Sequence, residues 1–238
     1  MKEILKNKNC LITGATGGIG KEIAETLAEK SCNLFLTGRN KESLLKMKKK
    51  LEQKFGIKVD FQIGDLTYTK DLVKIIQKVK SFGKIDILIN SAGIFLEKSI
   101  EKTTIEEFEK CHAINVRAPF ILSKELSKNM KKKKWGRIVN IASSSAYQGF
   151  SNGSAYCSSK HGLLGLSRSM FNELKQKNVR VFCVSPGSSK TKMGKQCKNQ
   201  NFETFINPKE IAEYIVNIIS FDNEMIIEES RLNRIKIE

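Results

Sequence analysis

Short apolar runs alternate with longer amphipathic ones along the chain. Residues 9–13, 33–37, 58–63, 85–90, 137–142, 179–184 and 224–228 read as strands. Between them, residues 21–30, 43–55, 72–82, 104–132, 155–176 and 208–220 carry helical spacing, as in Leu72, Val73, Ile75, Ile76 and Val79. Near-continuous apolar strands separated by amphipathic helices predict a parallel sheet covered on both faces. The expected fold is therefore α/β: one doubly wound domain of about seven strands spanning residues 1–238. No repeat, linker or second domain interrupts the pattern. Only three Pro occur, at 119, 186 and 208, and Pro208 after Asn207 suits a helix start. Ligands of such sheets bind beyond the carboxyl ends of the strands.

Composition narrows the class. A chain of 238 residues can bury a core without disulfides or a structural metal. With 40% hydrophobic and 28% charged residues and a mean hydropathy of -0.31, it reads as a folded, soluble domain. No run reaches the roughly 18 apolar residues of a membrane span. The opening Met1-Lys2-Glu3-Ile4-Leu5-Lys6 carries no secretory h-region. The net charge of +17 first suggests a polyanionic partner. Arg occurs only at 39, 117, 137, 168, 180, 231 and 234, however, so the cations are overwhelmingly Lys. Nucleic-acid readout favours Arg forks, whereas scattered Lys fits a solvated surface; nucleic acid is disfavoured. The six Cys form no C-x-x-C pair and the two His stand alone at 112 and 161, so zinc-ligand spacing is missing. Cys10 and Cys183 fall in apolar strand runs as small buried hydrophobes, and the expected compartment is the reducing cytoplasm.

The first strand runs into Thr13-Gly14-Ala15-Thr16-Gly17-Gly18-Ile19-Gly20, followed by a helix. Gly14 would permit the tight turn, Gly18 would let the backbone approach a pyrophosphate, and Gly20 would allow close helix–strand packing. The helix N-terminus then offers N–H groups and a positive dipole to an anion. This is a Rossmann-type dinucleotide loop with a spacing longer than G-x-G-x-x-G.

That spacing resembles the short-chain dehydrogenase/reductase family, and further segments match in the family's order. Asp65 follows the third strand, where the family holds the adenine. Asn90-Ser91-Ala92-Gly93 is similar to N-N-A-G, with Ser91 replacing the second Asn. Asn115 sits at the catalytic-Asn position, Ser143 at the catalytic-Ser position, and Tyr156 and Lys160 match Y-x-x-x-K. Ser185-Pro186-Gly187 with Thr191 and Met193 matches P-G-x-x-x-T-x-M. The resemblance covers about residues 8–220. It implies hydride transfer between a nicotinamide cofactor and a ketone or secondary alcohol. The cofactor would be held by Gly14, Thr16, Gly18, Ile19, Gly20, Arg39, Asp65, Leu66, Asn90, Ala92, Gly93, Tyr156, Lys160, Pro186, Gly187 and Thr191. The resemblance also implies a substrate lid over about residues 188–207, and a homo-tetramer or homo-dimer built on helices 104–132 and 155–176.

Y-x-x-x-K alone means little, since this Lys-rich composition gives about 0.6 chance matches. Position gives it force: Tyr156 and Lys160 are i and i+4 on one helix face. A free phenol titrates near 10, and a nearby ammonium is expected to lower that by about 1–3 units. Tyr156 would then be general acid to a carbonyl oxygen and base in reverse, with the Ser143 hydroxyl holding the same oxygen. Ser144 and Ser145 leave some ambiguity, and spacing to Tyr156 favours Ser143. By resemblance, Asn115 would keep a water in a proton relay to Lys160. His161 points about 100° away from Lys160 on the helix and, like His112, is assigned no role.

Cofactor choice rests on the end of the second strand. An NAD site would place a carboxylate there for the ribose 2′-OH. The chain has Thr37-Gly38-Arg39-Asn40-Lys41, and Arg39 can fork onto a 2′-phosphate, favouring NADP(H) over NAD(H). The family's other NADP marker, a basic residue in the glycine loop, is replaced by Gly17.

For the substrate, Trp135-Gly136-Arg137-Ile138-Val139-Asn140 and Ser154-Ala155-Tyr156 resemble the ketoacyl carrier-protein reductases, implying a 3-oxoacyl thioester on an acidic acyl carrier protein. Lys134, Lys177 and the lid residues Lys190, Lys192, Lys195 and Lys198 would suit that partner. The tail from Ile226 to Arg234 lacks the G-G strand of those reductases. It looks more like reductases of other small carbonyls, 3-hydroxyacids or sugar-pathway alcohols. A non-catalytic NADP sensor or nucleic-acid binder is a third class, against which both Tyr156 and Lys160 stand.

Overall fold

The computed structural model describes residues 4–197 and 200–235. Its strands are β1 (Asn9–Thr13), β2 (Asn33–Gly38), β3 (Val59–Ile63), β4 (Ile87–Asn90), β5 (Gly136–Ile141), β6 (Val179–Pro186) and β7 (Glu229–Leu232). They form one parallel sheet in the order β3-β2-β1-β4-β5-β6-β7. The order reverses between β1 and β4, the topological switch point at which such sheets open a crevice.

Alternation along the strands divides the core into two layers. Cys10, Ile12, Leu34, Leu36, Ile87 and Ile89 face one side, where they pack with α1 (Gly18–Glu29), α2 (Lys41–Phe55) and α7 (Pro208–Ile219). Leu11, Phe35 and Leu88 face the other, against α3 (Thr69–Phe82), α5 (Ala118–Lys133) and α6 (Ser154–Leu174). The result is the single-domain, doubly wound Rossmann-like fold that the pattern predicts.

Local chemistry sets the helix ends. The Asn40 side chain accepts from the N–H of Ser43 at 2.7 Å to start α2, which stops at Gly56 in the left-handed region, φ 65°. Asn207 caps α7, whose first residue is Pro208. Thr104 and Glu107 form a reciprocal capping box at the start of α4 (Ile105–His112).

Two expectations change. The continuous helix over 104–132 is three pieces: α4, a π-helical turn at Ala113–Arg117, and α5. Pro119 has no N–H to return to the carbonyl of Asn115, so the α-helical ladder cannot pass through unbroken. The last strand is not at 224–228 but at Glu229–Leu232, paired with Cys183–Pro186. The apolar run before it serves otherwise: Ile226 packs against the core, and the carbonyl of Met225 accepts from Arg180 at 3.2 Å. Among the described residues, no helix is long and apolar enough to cross a membrane.

Candidate active site

One cleft of about 1290 Å³ runs over the carboxyl ends of the strands, from Arg39 and Asp65 at one end to Ser143, Tyr156 and Phe150 at the other. Its floor is the glycine loop. Gly14 is in the left-handed region, φ 62°, and a Cβ there would lie 2.8 Å from the Cα of Ala92. A Cβ on Gly20 would press into the carbonyl oxygen of Gly14, so the helix start lies close on the turn that follows β1. The space that a Cβ on Gly18 would take is filled by the Thr191 side chain, whose Cγ2 would be 2.5 Å away. Gly18 lines the cleft and is also the seat of the segment that follows β6. No side chain caps α1, so its first N–H groups face the cleft without a local acceptor.

Thr16, Ile19, Leu66, Ala92, Gly93, Pro186, Gly187 and Thr191 also line this cleft. Arg39 and Asp65 meet at its far end. Burial raises the Asp65 pKa, but hydrogen bonds from Thr67 and the nearby Arg39 outweigh it and hold the carboxyl below the usual range. A dinucleotide fits these features: a long trough, a glycine cradle whose contacts exclude any Cβ, an uncapped helix N-terminus, and a buried, unpartnered Thr37 hydroxyl on the wall.

Ser143, Tyr156 and Lys160 come together at the other end. Tyr156 and Lys160 share the inner face of α6 and are 6% and 5% exposed. The Tyr156 phenol is pushed up to about 12, first by burial, with a hydrogen bond from Ser143 opposing. The expected lowering by Lys160 is absent, and geometry explains it. The Lys160 Nζ stands 5.8 Å from the phenol ring centroid and donates instead to the carbonyl of Ile141 at 2.9 Å. Burial lowers the ammonium itself to about 8. The Ser143 Oγ also accepts from the N–H of Ser145 at 3.1 Å, so of the three serines it is Ser143 that turns to the phenol.

Two expected residues lie behind the cleft. Asn115, in the π-turn, accepts from the N–H of Ile94 at 3.0 Å and donates to the carbonyl of Ile94 at 3.1 Å and to the Ser159 hydroxyl at 2.9 Å. Gly93 lies between it and Lys160: a Cβ there would be 3.2 Å from Asn115 Oδ1 and 3.6 Å from Lys160 Nζ. Asn90 does not reach the cleft. It is buried in the sheet, donating to Asn140 Oδ1 at 2.8 Å, and Asn140 in turn donates to Ser167 at 2.9 Å. Its side chain knits β4, β5 and α6, so any part it takes in holding a ligand is indirect. His161 faces solvent with its Nδ1 2.9 Å from the carbonyl of Cys157, and His112 lies between Phe108 and Ser158; neither lines the cleft.

The segment 188–207 borders the cleft through Ser188–Lys195, Cys197, Gln200 and Phe202. Lys190 is paired with Glu203 at 3.2 Å and Lys195 lies over the Phe202 ring at 5.4 Å. Lys198 lies outside the described residues. Sequence reasoning missed Phe95 and Phe150, which line the cleft beside Tyr156 and belong to no motif.

The short chain dehydrogenase family model matches residues 8–201. The chain belongs to that family and is an oxidoreductase. It is 32% identical over 222 residues to a 3-oxoacyl-(acyl-carrier-protein) reductase of Rickettsia bellii, covering 91% of this chain and 89% of that one. Among solved structures it resembles an alcohol dehydrogenase of the archaeon Thermococcus sibiricus complexed with 5-hydroxy-NADP. The TM-score is 0.89 and the identity 27%, with 97% of each chain covered. A 4-hydroxyisoleucine dehydrogenase complexed with NADH is also similar, at TM-score 0.84 and 29% identity, with 96% of this chain and 97% of that one covered. One of these two similar structures thus holds an NADP derivative and the other NADH.

Proposed function

We propose that this short-chain dehydrogenase is an NADPH-dependent reductase of a ketone, run in reverse as a secondary-alcohol dehydrogenase. The observation that carries this reading is the meeting of Ser143, Tyr156 and Lys160 at one end of a trough whose floor is the glycine loop. The nicotinamide, when bound, supplies or accepts the hydride. The glycine loop and the N-terminus of α1 would hold the pyrophosphate, Asp65 and Leu66 the adenine end, and Arg39 a 2′-phosphate.

Tyr156 is the general acid. Its phenol is protonated at neutral pH, so a proton stands ready for a carbonyl oxygen that gains charge. Ser143 donates to the same oxygen. An oxyanion there would be stabilised by hydrogen bonds from both hydroxyls. Lys160, largely protonated below its pKa of about 8, is the nearby positive charge that refills the phenol once its proton has left. Asn115 fixes the floor beneath them. Pro119 cannot return an N–H to its carbonyl, and Asn115 would keep a water in a proton relay that links Lys160 to solvent.

Sequence likeness to the carrier-protein reductase supports a 3-oxoacyl thioester, with an acyl carrier protein as partner. The different tail supports another small carbonyl, 3-hydroxyacid or sugar-pathway alcohol. Tyr156→Phe tests the core of the proposal. NADPH oxidation with a ketone is expected to fall at least a thousandfold while NADPH binding, followed by nucleotide fluorescence, is unchanged. A variant keeping a tenth of wild-type kcat overturns the assignment.

A further inference from the structure

Three aromatic rings pack together where the cleft ends. Phe95 lies edge-on to Tyr156, with centroids 4.9 Å apart and planes at 74°. Phe150 stacks on Phe95 at 6.1 Å with planes at 22°, and its centroid is 6.4 Å from that of Tyr156. Both phenylalanines line the cleft, and Phe150 keeps 41% of its surface exposed. A single exposed phenylalanine on a loop is ordinary. A stacked pair beside a reactive hydroxyl, still open on the cleft side, is a preformed apolar wall.

The wall is held from behind. Asn115 grips both the N–H and the carbonyl of Ile94, fixing the backbone immediately before Phe95. A Cβ on Gly153 would lie 2.7 Å from two carbons of the Phe150 ring, so the glycine is what lets that ring lie down. The N–H of Lys98 donates to the carbonyl of Asn152 at 2.7 Å, tying the loop of Phe95 to the loop of Phe150. Met193 and Phe202 add further apolar surface to the same cleft.

A substrate group placed on ring faces receives no hydrogen bonds there. A hydroxyl on that flank would lose its water without compensation, whereas a flat apolar group would bury its faces at little ordering cost. We infer that Phe95 and Phe150 are specificity-determining residues, and that they select a ketone whose carbonyl carbon bears an aromatic group over a polyhydroxylated ketone. This assignment rests on the reductase chemistry proposed above and names the flank of its substrate.

The test compares ethyl benzoylacetate, ethyl 3-oxohexanoate and dihydroxyacetone as substrates for NADPH oxidation by the wild type, Phe95→Ala, Phe150→Ala and Phe150→Leu. The aryl ester is expected to have the highest kcat/KM, at least tenfold above dihydroxyacetone. Phe150→Ala should raise its KM about tenfold with kcat little changed, Phe150→Leu should do so less, and NADPH affinity and the dihydroxyacetone constants should stay as they were. Equal losses on all three substrates, or dihydroxyacetone as the best of them, overturn the assignment. Failure to oxidise NADPH with any ketone overturns the reductase reading instead. The wall is then judged by saturation-transfer NMR with 1-phenylethanol. Disappearance of the phenyl-proton signal in Phe150→Ala supports it, and a signal at the wild-type level in that variant rejects it.

Discussion

The Lys160 ammonium donates to the carbonyl of Ile141 at 2.9 Å and not to the phenol one turn before it. The lysine is thereby anchored to the end of β5, and both it and Tyr156 carry the cost of burial, with pKa values moved apart to about 8 and about 12. Each group is pushed toward its neutral form.

A pH signature follows. Lys160 binds its proton less tightly folded than unfolded, so between about 8 and 10.5 the unfolded chain holds more protons and stability rises with pH. Tyr156 has the opposite sign, but only above 10, where its unfolded value lies. From pH 8 to pH 10, wild-type stability relative to Lys160→Met is therefore expected to increase, by on the order of 1 kcal/mol per pH unit. Urea unfolding of both proteins across that window measures it, and a flat difference rejects a buried ammonium.

Arg39 should set cofactor preference. Its charge already bears on Asp65, so Arg39→Asp would place two carboxylates at the proposed seat of the 2′-phosphate. NADPH is expected to weaken by roughly 2–5 kcal/mol relative to NADH. The ratio of kcat/KM for the two cofactors reads this directly, and an unchanged ratio places the 2′-phosphate elsewhere.

Asn115→Ala removes the side-chain partner of both polar groups of Ile94, while the Ser159 hydroxyl loses one donor and keeps its bond to the carbonyl of Tyr156. Stranding buried groups costs about 1–3 kcal/mol each, so a loss of roughly 2–5 kcal/mol is expected in chemical denaturation. Because Ile94 precedes Phe95, KM for the ketone should rise along with the fall in kcat.

Gly18 and Gly20 should respond unequally to alanine. The methyl of Gly20→Ala meets the backbone of Gly14, which cannot yield, while that of Gly18→Ala meets the Thr191 side chain. Gly20→Ala is expected to cost at least about 1 kcal/mol more in stability. Thr191→Ser, lacking the offending Cγ2, should restore part of the NADPH affinity lost in Gly18→Ala and none of that lost in Gly20→Ala.

Much of this architecture is legible in the sequence. The strand runs of a sheet buried on both faces are continuous and apolar, so Cys10–Ile12, Leu34–Leu36 and Ile87–Ile89 announce themselves, and the spaced motifs fall where the strand ends place them. Less legible are features that depend on neighbours distant in sequence. Apolar spacing runs straight through Ala113–Arg117, and Pro119 is the one signal that the ladder must break there. Edge strand β7 pairs on one side only and includes Ser230 and Arg231, so the apolar run before it is the stronger pattern and the wrong segment. The phenol's raised pKa is hidden because i, i+4 spacing gives proximity but not the Ile141 carbonyl that claims the ammonium. Phe95 and Phe150 carry no motif; only the folded loops bring them together.

Gly14 touches Ala92 across 78 positions of sequence, with Thr13 Oγ1 accepting from the N–H groups of Ser91 and Ala92, both at 3.1 Å. The loop that would cradle phosphate and the turn that leads to Phe95 thus share one backbone joint. Neither can be lengthened, shortened or given a bulkier residue without displacing the other. The two ends of the trough are therefore not separable modules. A designer wishing to graft a new substrate turn onto this chain would have to transplant the glycine loop with it, and random variation will find improvements there only as matched pairs.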